Sequence, residues 1–194
     1  MSDTSRQFGE RPRVELRGAG LDRWADIRAL HALAFRHLVG PCIDASECDA
    51  FVGRVFAPDY TDTLFAQDLQ VAWHDDRPVG TAGWVPADDK GTVARIASVF
   101  VSPLFTRTGI GRLLVAAAEA QARSAGFQSF SARAFQPSTG FFEALGYSRS
   151  SQGVQAVGTE NGIPVIFMRK HGVAGREVVE TSAMVDPAGG TLAP

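Results

Sequence analysis

The sequence predicts a mixed α/β domain, in which helices flank a central mixed and mostly antiparallel sheet. Its 194 residues suit one domain. Hydrophobic residues make up 45% and charged residues 21%, a balance that allows a globular core. Along the chain, a strand and two helices precede three strands, followed by helix, strand, helix and strand. Three strands with short connections pair antiparallel, whereas each later helix allows a parallel crossover.

The first quarter of the chain contains one strand and two amphipathic helices. Val14 and Leu16 alternate with charged residues, which predicts a short strand. Over 21–38 the apolar residues recur at helical spacing, and Gly40-Pro41 ends that helix. The stretch 44–57 predicts a second helix, whose apolar face contains Phe51, Val52, Val55 and Phe56.

Three strands follow. The segments 69–74 and 78–85 are joined by a turn at Asp75-Asp76-Arg77-Pro78. The next strand, 92–102, has apolar residues on both faces, which is typical of a central strand. We expect one face to carry Val93, Ala97, Val99 and Val101, and the other to carry Ile96 and Phe100.

The second half alternates helices and strands. A helix begins at Ile110, has apolar residues at helical spacing and ends at Gly126. A strand at 127–134, a short helix at 138–145 and a last strand at 163–169 complete the pattern. Residues 1–11 predict a flexible N-terminal arm and 172–194 a disordered tail, which leaves 12–171 as the domain.

Composition excludes several classes of protein. Nineteen Lys and Arg against 21 Asp and Glu argue against binding to nucleic acid. No apolar stretch reaches the roughly 18 residues of a membrane span, and the N-terminus lacks the apolar core of a secretory signal, so we expect a cytoplasmic protein. Cys42 and Cys48 predict two reduced thiols, and the scattered histidines predict no metal site.

The segment 99–112 carries the strongest functional signal. An apolar strand enters a short loop, and Gly109 and Gly111 open the next helix. The first N–H groups of a helix lack intrahelical partners and attract anions, and Arg107 and Arg112 add positive charge. Leu114 stands where a dinucleotide-binding motif would have glycine, and no Gly-Lys-Ser/Thr occurs. A phosphate cradle or simple close packing of helix on strand would each explain the glycines.

The Val-Phe-Val-x-Pro run at 99–103, followed by Arg-Thr-Gly-Ile-Gly-Arg-Leu-Leu at 107–114, resembles the acetyl-CoA motif of the GNAT superfamily of N-acetyltransferases. The segment 138–147 resembles that superfamily's Phe-Tyr-x-x-x-Gly-Phe pattern, and 165–170 its last strand. The resemblance covers 13–170 in element order and is motif-specific over 93–170. It implies a GNAT fold for the domain at 12–171.

The resemblance implies acetyl-CoA as co-substrate and no metal. The backbone at 99–101 would pair with the pantetheine arm, the loop 106–111 would hold the pyrophosphate, and residues 138–142 would flank the arm. The backbone N–H of Val99 would polarise the thioester carbonyl during direct attack by a neutral amine. The implied binding residues are Val99, Phe100, Val101, Thr106, Arg107, Thr108, Gly109, Ile110, Gly111, Arg112, Ser138, Phe141 and Phe142.

The sequence departs from the superfamily pattern at three positions, two of which concern the site. Thr106 replaces the Arg or Gln that opens the loop, and we expect this change to affect cofactor affinity and not the fold. Phe142 stands where the superfamily often has a tyrosine general acid, and it has no proton to give. Tyr147 replaces a core phenylalanine, and we expect it to pack in the core with a local partner for its hydroxyl. The sequence identifies no general acid or base.

These residues predict an N-acetyltransferase that moves an acetyl group from acetyl-CoA to a primary amine of a small molecule or peptide. The alternative is a catalytically silent CoA-binding regulatory module, because the same cradle serves both functions. His31, Phe35 and Trp84 are the candidate contacts to the amine. The acceptor's identity and the choice between monomer and homodimer stay open.

Overall fold

The computed structural model describes residues 12–20, 22–88, 91–157 and 161–171. The predicted N-terminal arm and C-terminal tail lie outside these residues. The helices and strands, in chain order, are β1 (Glu15–Gly18), α1 (Trp24–Leu38), α2 (Ala45–Phe56), α3 (Pro58–Phe65), β2 (Gln70–His74), β3 (Arg77–Pro86), β4 (Val93–Val101), α4 (Ile110–Ser124), β5 (Ser129–Phe135), α5 (Thr139–Glu143), β6 (Ser148–Val157) and β7 (Asn161–His171).

All seven strands form one sheet, in the order β1-β2-β3-β4-β5-β7-β6. The β4–β5 pair is parallel, and the other described pairs are antiparallel. The predicted mixed, mostly antiparallel sheet is therefore confirmed. The parallel pair follows from the α4 crossover, and β7 lies between β5 and β6 because the β6–β7 hairpin docks on β5 through its second strand.

Two elements were not predicted. Helix α3 begins at Pro58, directly after α2 ends, because a proline fits the first turn of a helix as well as it fits a loop. Strand β6 has the sequence Ser-Arg-Ser-Ser-Gln-Gly-Val-Gln-Ala-Val and is exposed at most positions. It is an edge strand that pairs only with β7 in the described sheet, so it lacks the apolar alternation by which a half-buried strand is identified.

The faces of β4 differ from the prediction because the strand contains a β-bulge. Ala97 pairs with Gly83 and Phe100 pairs with Thr81, so that two residues of β4 stand opposite one residue of β3. The extra residue reverses the alternation of side chains. Ile96 consequently shares a core with Val99 and Val101, whereas Phe100 packs in the core on the other face.

The sheet separates two apolar cores. One lies under α4 and includes Ile110, Leu114, Ala118, Ile96, Ala132 and Met168. The other lies under α1, α2 and α3 and includes Ile27, Phe35, Phe51, Val55, Leu64 and Val71. Helix α2 has a defined start, since Asp44 and Glu47 form a reciprocal capping box. Helices thus cover both faces of the sheet.

The buried carboxylate of Glu119 connects α4 to the C-terminal end of β7. Glu119 is 4% exposed and accepts a bond from Lys170 Nζ on β7 to each carboxylate oxygen, both at 2.8 Å. Arg123 Nη2 donates to Glu119 Oε2 at 2.8 Å. The Tyr147 hydroxyl donates to Glu119 Oε1 at 2.9 Å, and burial beside this carboxylate raises the pKa of Tyr147. The prediction that Tyr147 packs in the core with a bonded hydroxyl is confirmed.

Candidate functional site

A cleft of about 1000 Å³ opens where β4 and β5 separate. The two strands pair only from Val93 to Ile96 and from Ser129 to Ala132. Beyond that, β4 continues along β3 as far as Val101, and β5 continues along β7 as far as Phe135. Each strand is held by its outer neighbour, so the gap between them is built into the sheet.

The bulge in β4 lies at the start of this gap. Ser98 has a φ of 50°, a left-handed conformation that a non-glycine residue adopts only when its surroundings hold it. Its carbonyl oxygen accepts a hydrogen bond from Thr81 Oγ1 at 2.6 Å. This contact from β3 stabilises the bulge and fixes the backbone of Val99 at the mouth of the cleft.

His31 continues this contact into a chain of buried polar groups. Its Nε2 lies 2.8 Å from Thr81 Oγ1 and its Nδ1 lies 2.9 Å from the Tyr60 hydroxyl. Because the Thr81 proton goes to Ser98, His31 Nε2 must donate to Thr81, and the Tyr60 hydroxyl must donate to Nδ1. Burial lowers the pKa of His31 to about 3 and raises that of Tyr60. His31 is therefore a neutral structural link between α3 and the bulge.

The loop before α4 is held by its own hydroxyl groups. Thr106 Oγ1 donates to the Pro103 carbonyl at 3.0 Å, and Thr108 Oγ1 donates to the Phe105 carbonyl at 2.6 Å. Arg107 has a φ of 65° and Gly109 a φ of 95°. Left-handed residues in such a turn form a concave backbone that binds anions. The loop ends at the free N–H groups of the first turn of α4, which carry the positive end of the helix dipole.

The two glycines have different physical roles. A Cβ on Gly109 would meet no atom within 4 Å, so glycine serves its positive φ and leaves open space above the loop. A Cβ on Gly111 would lie 3.2 Å from two ring atoms of Phe141 and 3.5 Å from Val101 Cγ2. Close packing therefore explains Gly111, whereas the open space at Gly109 is compatible with the predicted phosphate cradle.

Two arginines flank the cradle. Arg107 and Arg112 are exposed and line the cleft. Arg112 Nη2 lies 3.5 Å from the Ala144 carbonyl, at the limit of a hydrogen bond. Neither arginine forms an ion pair with any residue that the structure describes. Their charges are available to an anion at the start of α4.

Most of the predicted cofactor residues line the cleft, namely Val99, Phe100, Val101, Thr106, Arg107, Gly109, Gly111, Arg112, Ser138, Phe141 and Phe142. The side chains of Thr108 and Ile110 do not line it, so a binding role for these two residues stays a prediction for their backbone N–H groups. The Thr108 hydroxyl is turned to the loop backbone, and Ile110 is 3% exposed in the α4 core. Phe142 reaches the cleft from the core, where its ring lies 5.3 Å from that of Tyr147.

The three predicted acceptor contacts do not line the cleft. His31 is fully buried, 4.2 Å from the Phe100 ring, and Phe35 is fully buried, stacked 3.7 Å from the Phe51 ring. Trp84 packs 5.3 Å from Phe127 on the α4 side of the sheet. The helical pattern placed His31 and Phe35 on α1 correctly, but that face of α1 is covered by α2 and α3.

The wall opposite the cradle consists of residues that the sequence did not single out, including Phe51, Arg54, Tyr60, Gln67, Arg95, Arg133 and Gln155. One signal was available. Arg95 lies between Ala94 and Ile96, and Arg133 between Ala132 and Ala134, so each is the one charged residue of its strand. Such a residue faces solvent or a ligand, and in the structure Arg133 is exposed and Arg95 is half-buried.

The sequence profile of the acetyltransferase (GNAT) family matches residues 24–147, a span that contains the bulge, the glycine loop and most of the residues that line the cleft. The chain belongs to this family. The matched span of this acetyltransferase includes strand β4, the glycine loop and helix α4.

The GNAT protein also resembles individual proteins. The Bacillus subtilis (strain 168) protein YyaT is 29% identical over 126 residues, which cover 64% of this chain and 76% of YyaT. A GCN5-related N-acetyltransferase from Rhodopseudomonas palustris has the same fold, with a TM-score of 0.74, 17% identity and coverage of 84% and 98%. The PaiA N-acetyltransferase from Thermoplasma acidophilum, solved with coenzyme A, aligns with a TM-score of 0.65, 13% identity and coverage of 82% and 99%.

The described part of the acetyltransferase lacks two features. Within it, no helix has both the length and the hydropathy to cross a lipid bilayer. The same residues contain no group of three or more His, Cys, Asp or Glu side chains placed to hold a metal ion.

Proposed function

We propose that this GNAT protein transfers an acetyl group from acetyl-CoA to the primary amine of a small molecule or peptide. The observation that carries the proposal is the gap between β4 and β5, which leads directly to the glycine loop and the start of α4. A gap between strands suits an extended arm that bonds to backbone, and the loop suits a diphosphate. The donor's two chemical parts thus have matching sites in one cleft.

The chain's own residues would bind the donor in three places. The exposed backbone edge of β4 at 99–101 would bond the amide groups of the pantetheine arm, as a further strand does. The open space above Gly109, with Arg107 and Arg112 beside it, would hold the diphosphate. Phe141 would pack along the arm, since its ring lines the cleft beside Gly111. Coenzyme A bound to the PaiA relative supports this assignment.

The chemical step would rely on position and on one backbone dipole. Attack by a neutral amine forms the new C–N bond, the C–S bond breaks to release the thiolate, and the proton lost from the nitrogen passes to the thiolate, directly or through solvent, to give the thiol. The Val99 N–H, held at the bulge, would stabilise negative charge on the carbonyl oxygen. The Tyr147 and Tyr60 hydroxyls are already donated to Glu119 and His31, so neither is a ready acid.

The cradle is tested by a pair of matched substitutions. Gly109→Asp places a carboxylate in the open space where we expect the diphosphate. Gly126→Asp makes the same change at the other end of α4, at a φ of 99° and also with nothing within 4 Å. Calorimetry should show CoA binding weakened at least ~100-fold, about 2.7 kcal/mol, by the first change and little altered by the second. Equal affinities in two folded variants would remove the cradle assignment.

A catalytically silent CoA-binding module is the second candidate. The observation in its favour is that the cleft, as far as the chain is described, is lined by no Asp, Glu or His that could act as an acid or base. Thiol release from acetyl-CoA with a panel of primary amines separates the two functions. Thiol release that depends on an amine supports the enzyme, whereas CoA binding without release for any amine supports the silent module.

A further inference from the structure

Two arginines on the neighbouring strands β4 and β5 line the cleft on the face of the sheet opposite α4. Arg95 on β4 pairs with Ser131 on β5, and the next pair is Ile96 with Ala132. Since side chains alternate along a strand, Arg133 lies on the same face as Ser131 and diagonally next to Arg95. Both arginines line the cleft.

The sheet separates this pair from the arginines of the cradle. Ala94, Ile96, Ala132 and Ala134 point into the core under α4. Arg95 and Arg133 alternate with them and therefore lie on the opposite face, which also carries Phe100 and Phe135. Arg107 and Arg112, in contrast, belong to the loop and first turn of α4. The cleft has one cationic pair on the donor side and another on the side left for the acceptor.

The acceptor-side pair is uncompensated by the rest of the described chain. Arg54, which also lines the cleft, is bonded to Asp59 at 2.6 Å. Arg95 and Arg133 have no ion pair within residues 12–20, 22–88, 91–157 and 161–171, and Arg133 lies over the Phe167 ring at 5.8 Å. Burial, together with the Arg133 charge, lowers the pKa of Arg95. An anion between the two guanidinium groups would offset both effects.

We propose that the acceptor amine also bears an oxyanion, such as a carboxylate, and that Arg95 and Arg133 bind it. This inference rests on the proposed acetyltransferase function and names its substrate class. A guanidinium group forms two parallel hydrogen bonds to a carboxylate, which fixes the orientation of the ligand as well as its charge. The same pair repels polyamines and other cationic amines, so the acceptors are amino acids, peptides with a nearby carboxylate, or aminoalkyl phosphonates.

The test compares amines that differ only in the anion. Acetyl transfer by the full chain is measured for glycine, β-alanine, 4-aminobutyrate and glycylglycine, for their amides, for aminomethylphosphonate and for spermidine. Charge-assisted hydrogen bonds contribute about 1.5–3 kcal/mol, so kcat/KM for the best anionic amine should exceed that for its amide about 10- to 100-fold. Spermidine should be a poorer substrate than either.

Three variants locate the effect. Arg95→Gln and Arg133→Gln should each remove most of the preference for the anionic amine and leave the KM for acetyl-CoA unchanged. Arg77→Gln, at an exposed arginine that begins β3, is the matched control and should keep the preference. Amides or spermidine acetylated as well as the anionic amines by the unmodified protein would overturn the inference.

A binding measurement separates this inference from the proposed function. Succinate and β-alanine are titrated into the CoA-saturated protein by calorimetry, with sodium chloride at the same ionic strength as reference. Binding that Arg95→Gln abolishes supports the oxyanion site even if no amine is acetylated, in which case the proposed function alone has failed. No binding of either anion overturns the oxyanion site, whatever the activity.

Discussion

His31 is the most fully enclosed polar side chain next to the cleft. Its two nitrogens bond Tyr60 and Thr81, and its ring stacks on Phe100. An imidazole in this position holds α1, α3 and the β4 bulge together while it stays neutral. Protonation would place a charge in the core and would leave Nδ1 without its donor from Tyr60.

We predict that His31 makes the protein less stable in acid. The folded state keeps His31 neutral down to pH about 3, whereas the unfolded chain binds a proton near the ordinary value of 6.5. The unfolded state therefore holds more protons between these pH values, and stability falls as the pH is lowered through this window. From pH 7 to pH 5 the loss from this one group is about 2 kcal/mol.

Urea unfolding at pH 7 and pH 5 measures this loss. His31→Gln should be less stable than the unmodified protein at pH 7 but should lose about 2 kcal/mol less between the two pH values. His37→Gln, the same change at an exposed position of α1, should keep the full pH dependence. An unchanged pH dependence in His31→Gln would show that the imidazole does not titrate as described.

Phe142 provides a second prediction at the residue scale. A thiol with a pKa near 8.5 is a good leaving group at neutral pH, so a general acid gains little. Phe142→Tyr should therefore raise kcat by less than about tenfold once an amine acceptor is known. Tyr147→Phe is the control, since its hydroxyl is bonded to Glu119 in the core and should affect stability more than turnover. A gain of several hundredfold for Phe142→Tyr would show that a missing acid limits the rate.

The position of helix α4 depends on Gly111 as much as on the apolar face of the helix. At Gly111 the helix touches Phe141 and Val101, and the helix start is where the loop must deliver its N–H groups. Any side chain at this position must displace the Phe141 ring by a few tenths of an ångström or push α4 away from β4 and α5. The position of the helix end and the width of the cleft are therefore coupled.

The same substitution in two helices tests this coupling. Gly111→Ala should destabilise the fold and weaken CoA binding, because its Cβ would lie 3.2 Å from the Phe141 ring. Gly53→Ala in α2 meets nothing within 4 Å and should stabilise the protein by about 0.5–1 kcal/mol, the usual gain of alanine over glycine in a helix. Thermal unfolding and CoA calorimetry would give both results. A stabilised Gly111→Ala variant with normal affinity would contradict the close contact.

The elements that the sequence predicts are those with a strong internal pattern. Helices α1, α2 and α4 each bury a regular apolar stripe, and β4 is apolar on both faces. Strand β6 pairs along one edge and is mostly exposed, so its hydrophobic pattern is weak. In β4, the one extra residue at the Ser98 bulge reverses which face of the sheet the later side chains lie on. Most of the proposed donor side lies in one contiguous segment, 99–112, so the sequence alone could suggest it. The proposed acceptor side takes Tyr60, Arg95 and Arg133 from three separate elements, and only the fold brings them to one cleft.

At the scale of the whole molecule, the sheet unites two cores that share no helix. The core under α4 and the core under α1–α3 meet only through the strands. β7 is essential to the connection between the cores. Its pairing with β5 covers Ser129 to Phe135 of β5, and its own residues Asn161 to Arg169 pair with β6. We propose that residues 12–171 are sufficient for this fold.

Two shortened chains test that proposal. A chain ended after His171 keeps every described element and should unfold cooperatively, with the CoA affinity of the full chain. A chain ended after Val157 lacks β7, which is the partner strand of both β5 and β6, and lacks the Lys170 ammonium that bonds both oxygens of the buried Glu119 carboxylate. It should show no cooperative transition by calorimetry. Cooperative unfolding of the shorter chain would show that β7 is dispensable.

The interior position of β7 also sets an order of events during translation. The nascent chain emerges with β5 before β7, and at 5–20 residues per second the ribosome needs about 2–7 s to go from Phe135 to His171. Throughout that interval β5 has an unpaired edge, which invites association with other chains. We expect ribosome-stalled chains that expose residues up to 157 to bind chaperones and not CoA. Chains that expose residues up to 171 should bind CoA and not chaperones, so that the cleft can bind CoA only after β7 has been made.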